Sequence, residues 1–252
     1  MKDFKGYESN IFSCEREGQT AVILLKEEAF RMSTDASYLQ DMLDCIKNIE
    51  KDDAIKGLLV QCTEEYNGIK NIQDFVNSIK KISGHVKKEM VVRRYGSSVR
   101  RMTLRINKLH KPSVVCVHGK VPIDHFGYIM AFDFRIASED LQIEFPGIKL
   151  GISPAGAASF YLSRQLGPTV AAELFLSGKT ITAEEAYGLG IVSKIVPRDE
   201  IKTQAMQKLE ALYEFPAMGY SMTKRMLKPG KHELENHFER SIQAMWSSII
   251  DK

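Results

Sequence analysis

The stretch from Lys111 to Pro197 constrains the fold most, because apolar runs, glycine turns and helical spacing follow one another there in a fixed order. Pro112-Ser-Val-Val-Cys-Val-His-Gly119 reads as a buried strand ending on a glycine turn. From Val121 to Ala131 the apolar positions shift to helical spacing, and Phe132-Asp-Phe-Arg-Ile-Ala137 reads as a second strand, with a short strand around Ile143-Glu-Phe145. Gly151 to Gly167 is a turn feeding a helix closed by a glycine of C′ type. Within Leu174 to Pro197, Thr182-x-x-Glu185 is a capping box ahead of a short helix and strand.

Upstream, Ile11-Phe-Ser-Cys-Glu-Arg16 and Thr20-Ala-Val-Ile-Leu-Leu25 flank Glu17-Gly18-Gln19, a hairpin signal whose second strand is apolar enough to be buried on both faces. Ser33-Thr-Asp35 can cap a helix carrying Leu39, Met42, Leu43, Ile46 and Ile49, and Ile55 to Cys62 is a third strand, giving a right-handed βαβ crossover. Downstream, Glu200 to Tyr213 is amphipathic, Pro216 opens a helix to about Leu227, and Lys228-Pro-Gly230 breaks it. The last helix, Glu233 to Ile249, puts Leu234, Phe238, Ile242, Met245, Trp246 and Ile249 on one stripe. At 252 residues the chain is one large domain or two small ones, and 44% hydrophobic with 27% charged residues is the balance of a globular protein. A net charge of +3 does not point to nucleic acid, and no apolar run reaches the roughly 18 residues of a membrane span. Cys14, Cys45, Cys62 and Cys116 lie far apart without metal-ligand spacing, so free buried thiols and no metal are expected. With no apolar signal core at the start, the expected compartment is the cytoplasm.

Leu176-Ser-Gly-Lys-x-Ile-Thr-Ala-Glu-Glu-Ala-x-x-Leu-Gly-Ile-Val-Ser-Lys-Ile-Val-Pro197 resembles the crotonase superfamily, the enoyl-CoA hydratase/isomerase family. Lys111-Pro112 through His118-Gly119 and Asp133-x-Arg-Ile-Ala137 support the resemblance, which extends over roughly residues 10–250. It implies an α/β fold: a crotonase-like ββα spiral core over residues 1–197, then a C-terminal helical trimerisation region over 198–252. It also implies an acyl-CoA thioester as ligand, coenzyme A entering as part of the substrate with no bound cofactor, and a homotrimer or dimer of trimers. Where this chain stops at Asp251-Lys252, relatives continue with a basic and aromatic segment that closes over the coenzyme, so that cover is expected to be missing.

Residues 76–108 carry Lys80-Lys81, Lys87-Lys88, Arg93-Arg94 and Arg100-Arg101, broken by Gly84 and Gly96. This least regular part reads as a solvated helical face with a flexible loop, and secondarily as a lure for the phosphates of coenzyme A. A nucleic-acid role lacks interleaved stacking aromatics beyond Tyr95.

The resemblance places the family's oxyanion hole, two backbone N–H groups aimed at the thioester oxygen, at Lys70 in Gly68-Ile-Lys-Asn-Ile72 and at Asp124. Gly68, Ile72, Gly127 and Gly147 are then substrate-binding positions. Three glycines of the family's second turn become Ile123, Asp124 and His125, so its shape is expected to differ, and a carboxylate beside the hole would oppose an oxyanion. The two catalytic glutamates of hydratases fall on Gly127 and Gly147, which leaves Asp124 and His125 as the candidate catalytic groups, with Glu144 expected to point away. Ser153 and Ser159 have no base in view, and His118 shapes a strand end. The implied function is action on, or binding of, an acyl-CoA thioester through a backbone oxyanion hole without conventional hydratase chemistry. A catalytically degenerate thioester-binding or partner subunit is the alternative, and a conventional hydratase or isomerase the third reading.

Overall fold

The computed structural model describes residues 6–63, 68–154 and 156–250, Phe126 by its backbone alone. Two short strands, β1 (Tyr7–Glu8) and β2 (Phe12–Glu17), lead through the Gly18-Gln19 turn into β3 (Thr20–Leu25). A 3₁₀ turn at Glu27–Ser33 precedes α1 (Ala36–Lys51), which Asp35 caps by accepting from the Ser37 backbone N–H at 2.9 Å. Then come β4 (Gly57–Cys62), α2 (Gly68–Lys81), α3 (His85–Asn107), β5 (Ser113–Val117), β6 (Lys120–Pro122), α4 (Ile123–Ile129), β7 (Phe134–Ser138) and β8 (Gln142–Glu144). They are followed by α5 (Gly147–Leu150), α6 (Ala158–Leu166), α7 (Pro168–Ser177), β9 (Ile181–Thr182), α8 (Ala183–Gly188) and β10 (Lys194–Val196). The tail is a 3₁₀ turn at Arg198–Glu200, α9 (Ile201–Tyr213), α10 (Ala217–Leu227) and α11 (Lys231–Ile250).

Seven strands form one sheet in the order β1-β2-β3-β4-β5-β7-β10, parallel from β3 onward and antiparallel at the β1–β2–β3 edge. Strands β6, β8 and β9 form a second, small sheet. The parallel strands read as continuous apolar runs because both faces are covered. Val22, Leu59, Val114, Cys116 and Ile136 meet Ile201, Ala205 and Leu209 of α9 on one side. Their alternates, including Ile23, Leu58, Val60, Val115 and Val117, meet α1 and the β8–α8 region on the other. This mixed, parallel-rich α/β arrangement agrees with the expected fold class.

Several boundaries differ from the sequence reading. The segment 76–108 holds two regular helices. Gly84, at φ +92°, separates them, but Gly96 lies inside α3 and breaks nothing. Its missing Cβ lets α11 approach: a Cβ there would run into Ile242 Cγ1. Helical spacing over 121–131 begins with strand β6 and turns helical only at Ile123, and the strand expected from Phe132 starts at Phe134. Gly167, at φ +80° and ψ 162°, is not a left-handed C′ cap; it joins α6 directly to α7, whose first residue is Pro168. The Thr182–Glu185 capping box forms in both directions.

The apolar stripe of α11 is buried within the chain. Leu234, Phe238, Met245, Trp246 and Ile249 pack with Ile72, Phe75 and Val76 of α2 and with Val92, Tyr95 and Val99 of α3. At about 1.5–3 kcal/mol for each large side chain taken from water, the stripe binds the tail firmly to the core. The exposed large hydrophobic side chains include a run on α10, where Met218, Met222, Met226 and Leu227 are 46–88% exposed. A single buried carboxylate anchors α10: Asp133 accepts from Lys224 Nζ at 2.6 Å, Tyr220 Oη at 3.1 Å and Ser113 N and Oγ at 2.9 Å, and lies 3.1 Å from Lys228 Nζ.

Candidate functional site

Parallel α/β sheets gather ligand groups outside the carboxyl ends of their strands, since loops and helix N-termini converge there. In this chain the first turns of α2 and α4 converge on that edge. Gly68, the first residue of α2, lies so close to α4 that a Cβ on it would stand 2.7 Å from Pro122 Cδ and 2.9 Å from His125 Nδ1. Lys70 and Asp124, which the family resemblance implies as backbone donors, therefore sit in the opening turns of two abutting helices, where backbone N–H groups and dipoles favour negative charge.

Asp124 and His125 themselves are interior groups, 2% and 3% exposed. Burial drives the His125 imidazole down to about 4, so it is neutral near pH 7. His125 packs in an aromatic cluster: its ring centroid is 5.8 Å from Phe30 and 6.1 Å from Tyr128, and Phe75 lies 4.6 Å from Tyr95. Burial, with the nearby Asp124 charge, pushes the Tyr95 phenol up.

The glycines at the implied glutamate positions are tightly enclosed. A Cβ on Gly127 would stand 2.9 Å from the Ala157 backbone nitrogen, and one on Gly147 would stand 2.9 Å from the Ile152 carbonyl oxygen. Both obstacles are backbone, which cannot rotate aside as a side chain can. Glu144, expected to point away, is paired in the small sheet with Pro122, the residue just before α4, and lies 4.0 Å from Lys120 Nζ.

A cleft of about 460 Å³ opens beside the α2 turn, lined by Phe30, Thr34, Asn71, Phe75, Ser78 and Arg94 among others. Its volume is within the range of small-molecule sites. Asn71 was not singled out from the sequence, and its Nδ2 is buried without a hydrogen-bond partner among the described residues. Such an unmade hydrogen bond costs about 1–3 kcal/mol. A larger cleft, about 590 Å³, lies at the opposite, amino-terminal edge beside Asp133 and α10. There the ionic groups already satisfy one another, Lys224 and Lys228 on Asp133 and Arg164 on Glu233, so the carboxyl-edge cleft is the better candidate despite its size.

Two further pairs escape sequence reading because their members are distant in the chain. Cys62 Sγ lies 3.4 Å from His118 Nε2, which is also 3.1 Å from the Cys62 carbonyl oxygen. Burial lifts the thiol to about 11 against a smaller downward pull from Arg198, so it is a protonated thiol rather than a nucleophilic thiolate. Ser159, expected to lack a base, has His237 Nε2 at 3.0 Å, but that nitrogen also faces the Gly156 carbonyl at 3.3 Å. Burial lowers the His237 pKa, reinforced by Arg240 and opposed by the Gly156 hydrogen bond. Among the described residues no group of three or more His, Cys, Asp or Glu could hold a metal ion, and no helix is long and apolar enough to cross a membrane.

Comparison with known proteins bears on this geometry. Residues 15–252 match the family model for enoyl-CoA hydratase/isomerase. The chain is 22% identical to enoyl-CoA delta isomerase 2 of Rattus norvegicus over 250 residues, which is 98% of this chain and 62% of that protein's length. It is 23% identical to the short-chain-enoyl-CoA hydratase of Clostridium acetobutylicum over 223 residues, 88% of this chain and 83% of that one. The fold superposes on the crystal structure of an enoyl-CoA hydratase from Bacillus halodurans with a TM-score of 0.81 at 22% identity, covering 95% of each chain. With the parallel-rich sheet, the paired helix turns and a family match spanning nearly its whole length, the chain belongs to the enoyl-CoA hydratase/isomerase family.

Proposed function

We propose that this chain binds an acyl-CoA thioester at the carboxyl edge of its sheet and polarises the thioester oxygen through the backbone amides of Lys70 and Asp124, without carrying out hydration. The observation that carries this reading is the pairing of two features. The α2 and α4 turns meet, as a backbone oxyanion hole requires, while Gly127 and Gly147, the positions the family resemblance assigns to a hydratase's carboxylates, stand against backbone. An activated water needs a placed base and the α-carbon a placed acid, and His125 and Asp124 are both interior. Asp124 and His125 act in this reading as the walls of the hole, and Gly68, Ile72, Gly127 and Gly147 bring backbone close to the ligand. The test is calorimetric titration with crotonyl-CoA beside an assay of its enoyl absorbance. Saturable binding with no turnover is expected; turnover near that of an ordinary hydratase would overturn the reading.

A partner-subunit role is favoured by a separate observation, the exposed Met218, Met222, Met226 and Leu227 face of α10. In that reading α10, rather than the α11 stripe, meets a neighbouring copy in a trimer or dimer of trimers. Sedimentation at micromolar concentration tests it, and Met222→Glu with Met226→Glu should shift the chain to monomer.

A further inference from the structure

The carboxyl-edge cleft contains four side chains with protons to donate, and two of them are already committed. Ser78 Oγ donates to the Phe75 carbonyl at 2.7 Å, and Thr34 Oγ1 donates to the Arg31 carbonyl at 3.3 Å. The other two are Asn71 and Arg94. Asn71 lines the cleft from the first turns of α2, one residue beyond Lys70, and its buried Nδ2 has no partner among the described residues. Arg94 faces it from α3; its charge already acts on Asp35, but the two form no close ion pair. Phe30 and Phe75 cross edge to face at 5.9 Å on the cleft wall, giving apolar surface to a short hydrocarbon segment.

We propose that Asn71 and Arg94 are specificity-determining residues which hold a carboxylate at the far end of the acyl group, so that the preferred ligand is the coenzyme A thioester of a short dicarboxylic acid. A carboxylate accepts hydrogen bonds at both oxygens, one from the Asn71 amide and one from the guanidinium, which suits planar, two-point recognition. A plain acyl chain would leave the Asn71 donor unmade, and a buried polar group without a partner discriminates strongly against a ligand lacking its complement. Asp74 also lines the cleft and opposes the same carboxylate. Its removal therefore has a definite expected direction.

This inference rests on the acyl-CoA reading above, and the experiment separates the two. Glutaryl-CoA and valeryl-CoA, equal in chain length and differing in the terminal carboxylate, are titrated into wild type, Asn71→Leu, Arg94→Gln and Asp74→Asn. Wild type should prefer glutaryl-CoA by at least about tenfold, the scale of one charge-assisted hydrogen bond. The preference should collapse in Asn71→Leu and Arg94→Gln, grow in Asp74→Asn, and weaken as salt is raised. Equal affinity of the two thioesters for wild type would overturn the proposal, as would a preference unchanged by both Asn71→Leu and Arg94→Gln. If neither thioester binds, the acyl-CoA reading itself falls, and the specificity proposal with it.

Discussion

Gly127→Ala tests directly whether the structure leaves room for a hydratase carboxylate. Gly127 lies inside α4, where replacing glycine by alanine normally favours the helix by about 1 kcal/mol. Here the new methyl would meet the Ala157 nitrogen at 2.9 Å, with Ala158 N and Gly156 Cα at 3.5 Å. Relieving it means moving the start of α6 away from α4, an overpacking cost of about 1–3 kcal/mol. The expected sum is a net loss near 1 kcal/mol, or a fall in Tm of roughly 2–4 °C for a chain of this length. Gly188→Ala is the control, because its Cβ would have nothing within 4 Å, and it should gain about 0.4–1 kcal/mol. Thermal unfolding of the two variants beside wild type decides the point. Should Gly127→Ala raise Tm as Gly188→Ala does, the α4–α6 contact has slack, a glutamate could be housed there, and the argument against hydration would lose its basis.

Other perturbations have equally definite outcomes. Gly96→Ala should destabilise by about 1–3 kcal/mol through collision with Ile242, and its cost should shrink when measured in an Ile242→Ala background by urea unfolding. Lys224→Met should cost roughly 3 kcal/mol by removing a partner from buried Asp133, measured in the same way. Burial alone would raise the Asp133 pKa, but Lys224 and Lys228 hold it below its ordinary value, so their contribution is present above about pH 4 and is lost under more acidic conditions. His125 acts over a different window. The unfolded chain takes up its proton near pH 6.5, whereas the folded imidazole resists down to about 4, so stability should fall as pH drops between those values. Tm against pH for wild type and His125→Gln checks this, and equal slopes would contradict it.

Much of the fold was legible because the signals were local. The apolar runs of β3, β4 and β5, the Asp35 cap and the Thr182–Glu185 box each lie within a few residues and form where expected. Gly96 misled for the same reason. A glycine amid charges looks like a break until α11, more than a hundred residues later, supplies Ile242 against it. The site was legible only in part. The approach of the α2 start to the α4 start at Gly68, Pro122 and His125 is visible only in the fold, as is the closure around Gly127 and Gly147 by backbone at Ala157 and Ile152. Asn71 drew no notice because an unpaired amide is visible only once its surroundings are. The Cys62–His118 and Ser159–His237 pairs, 56 and 78 residues apart, were hidden likewise.

The packing of α11 on α3 also sets a timetable for biosynthesis. Val92, Tyr95 and Val99 leave the ribosome early, yet α11, the helix that covers them, is made much later in the chain. At about 5–20 residues per second, that apolar face waits on the order of ten seconds for its cover. During that interval the nascent chain is a sticky, unfinished object whose yield in cells should depend on holding chaperones, and a stop codon anywhere before Lys231 would leave it so permanently.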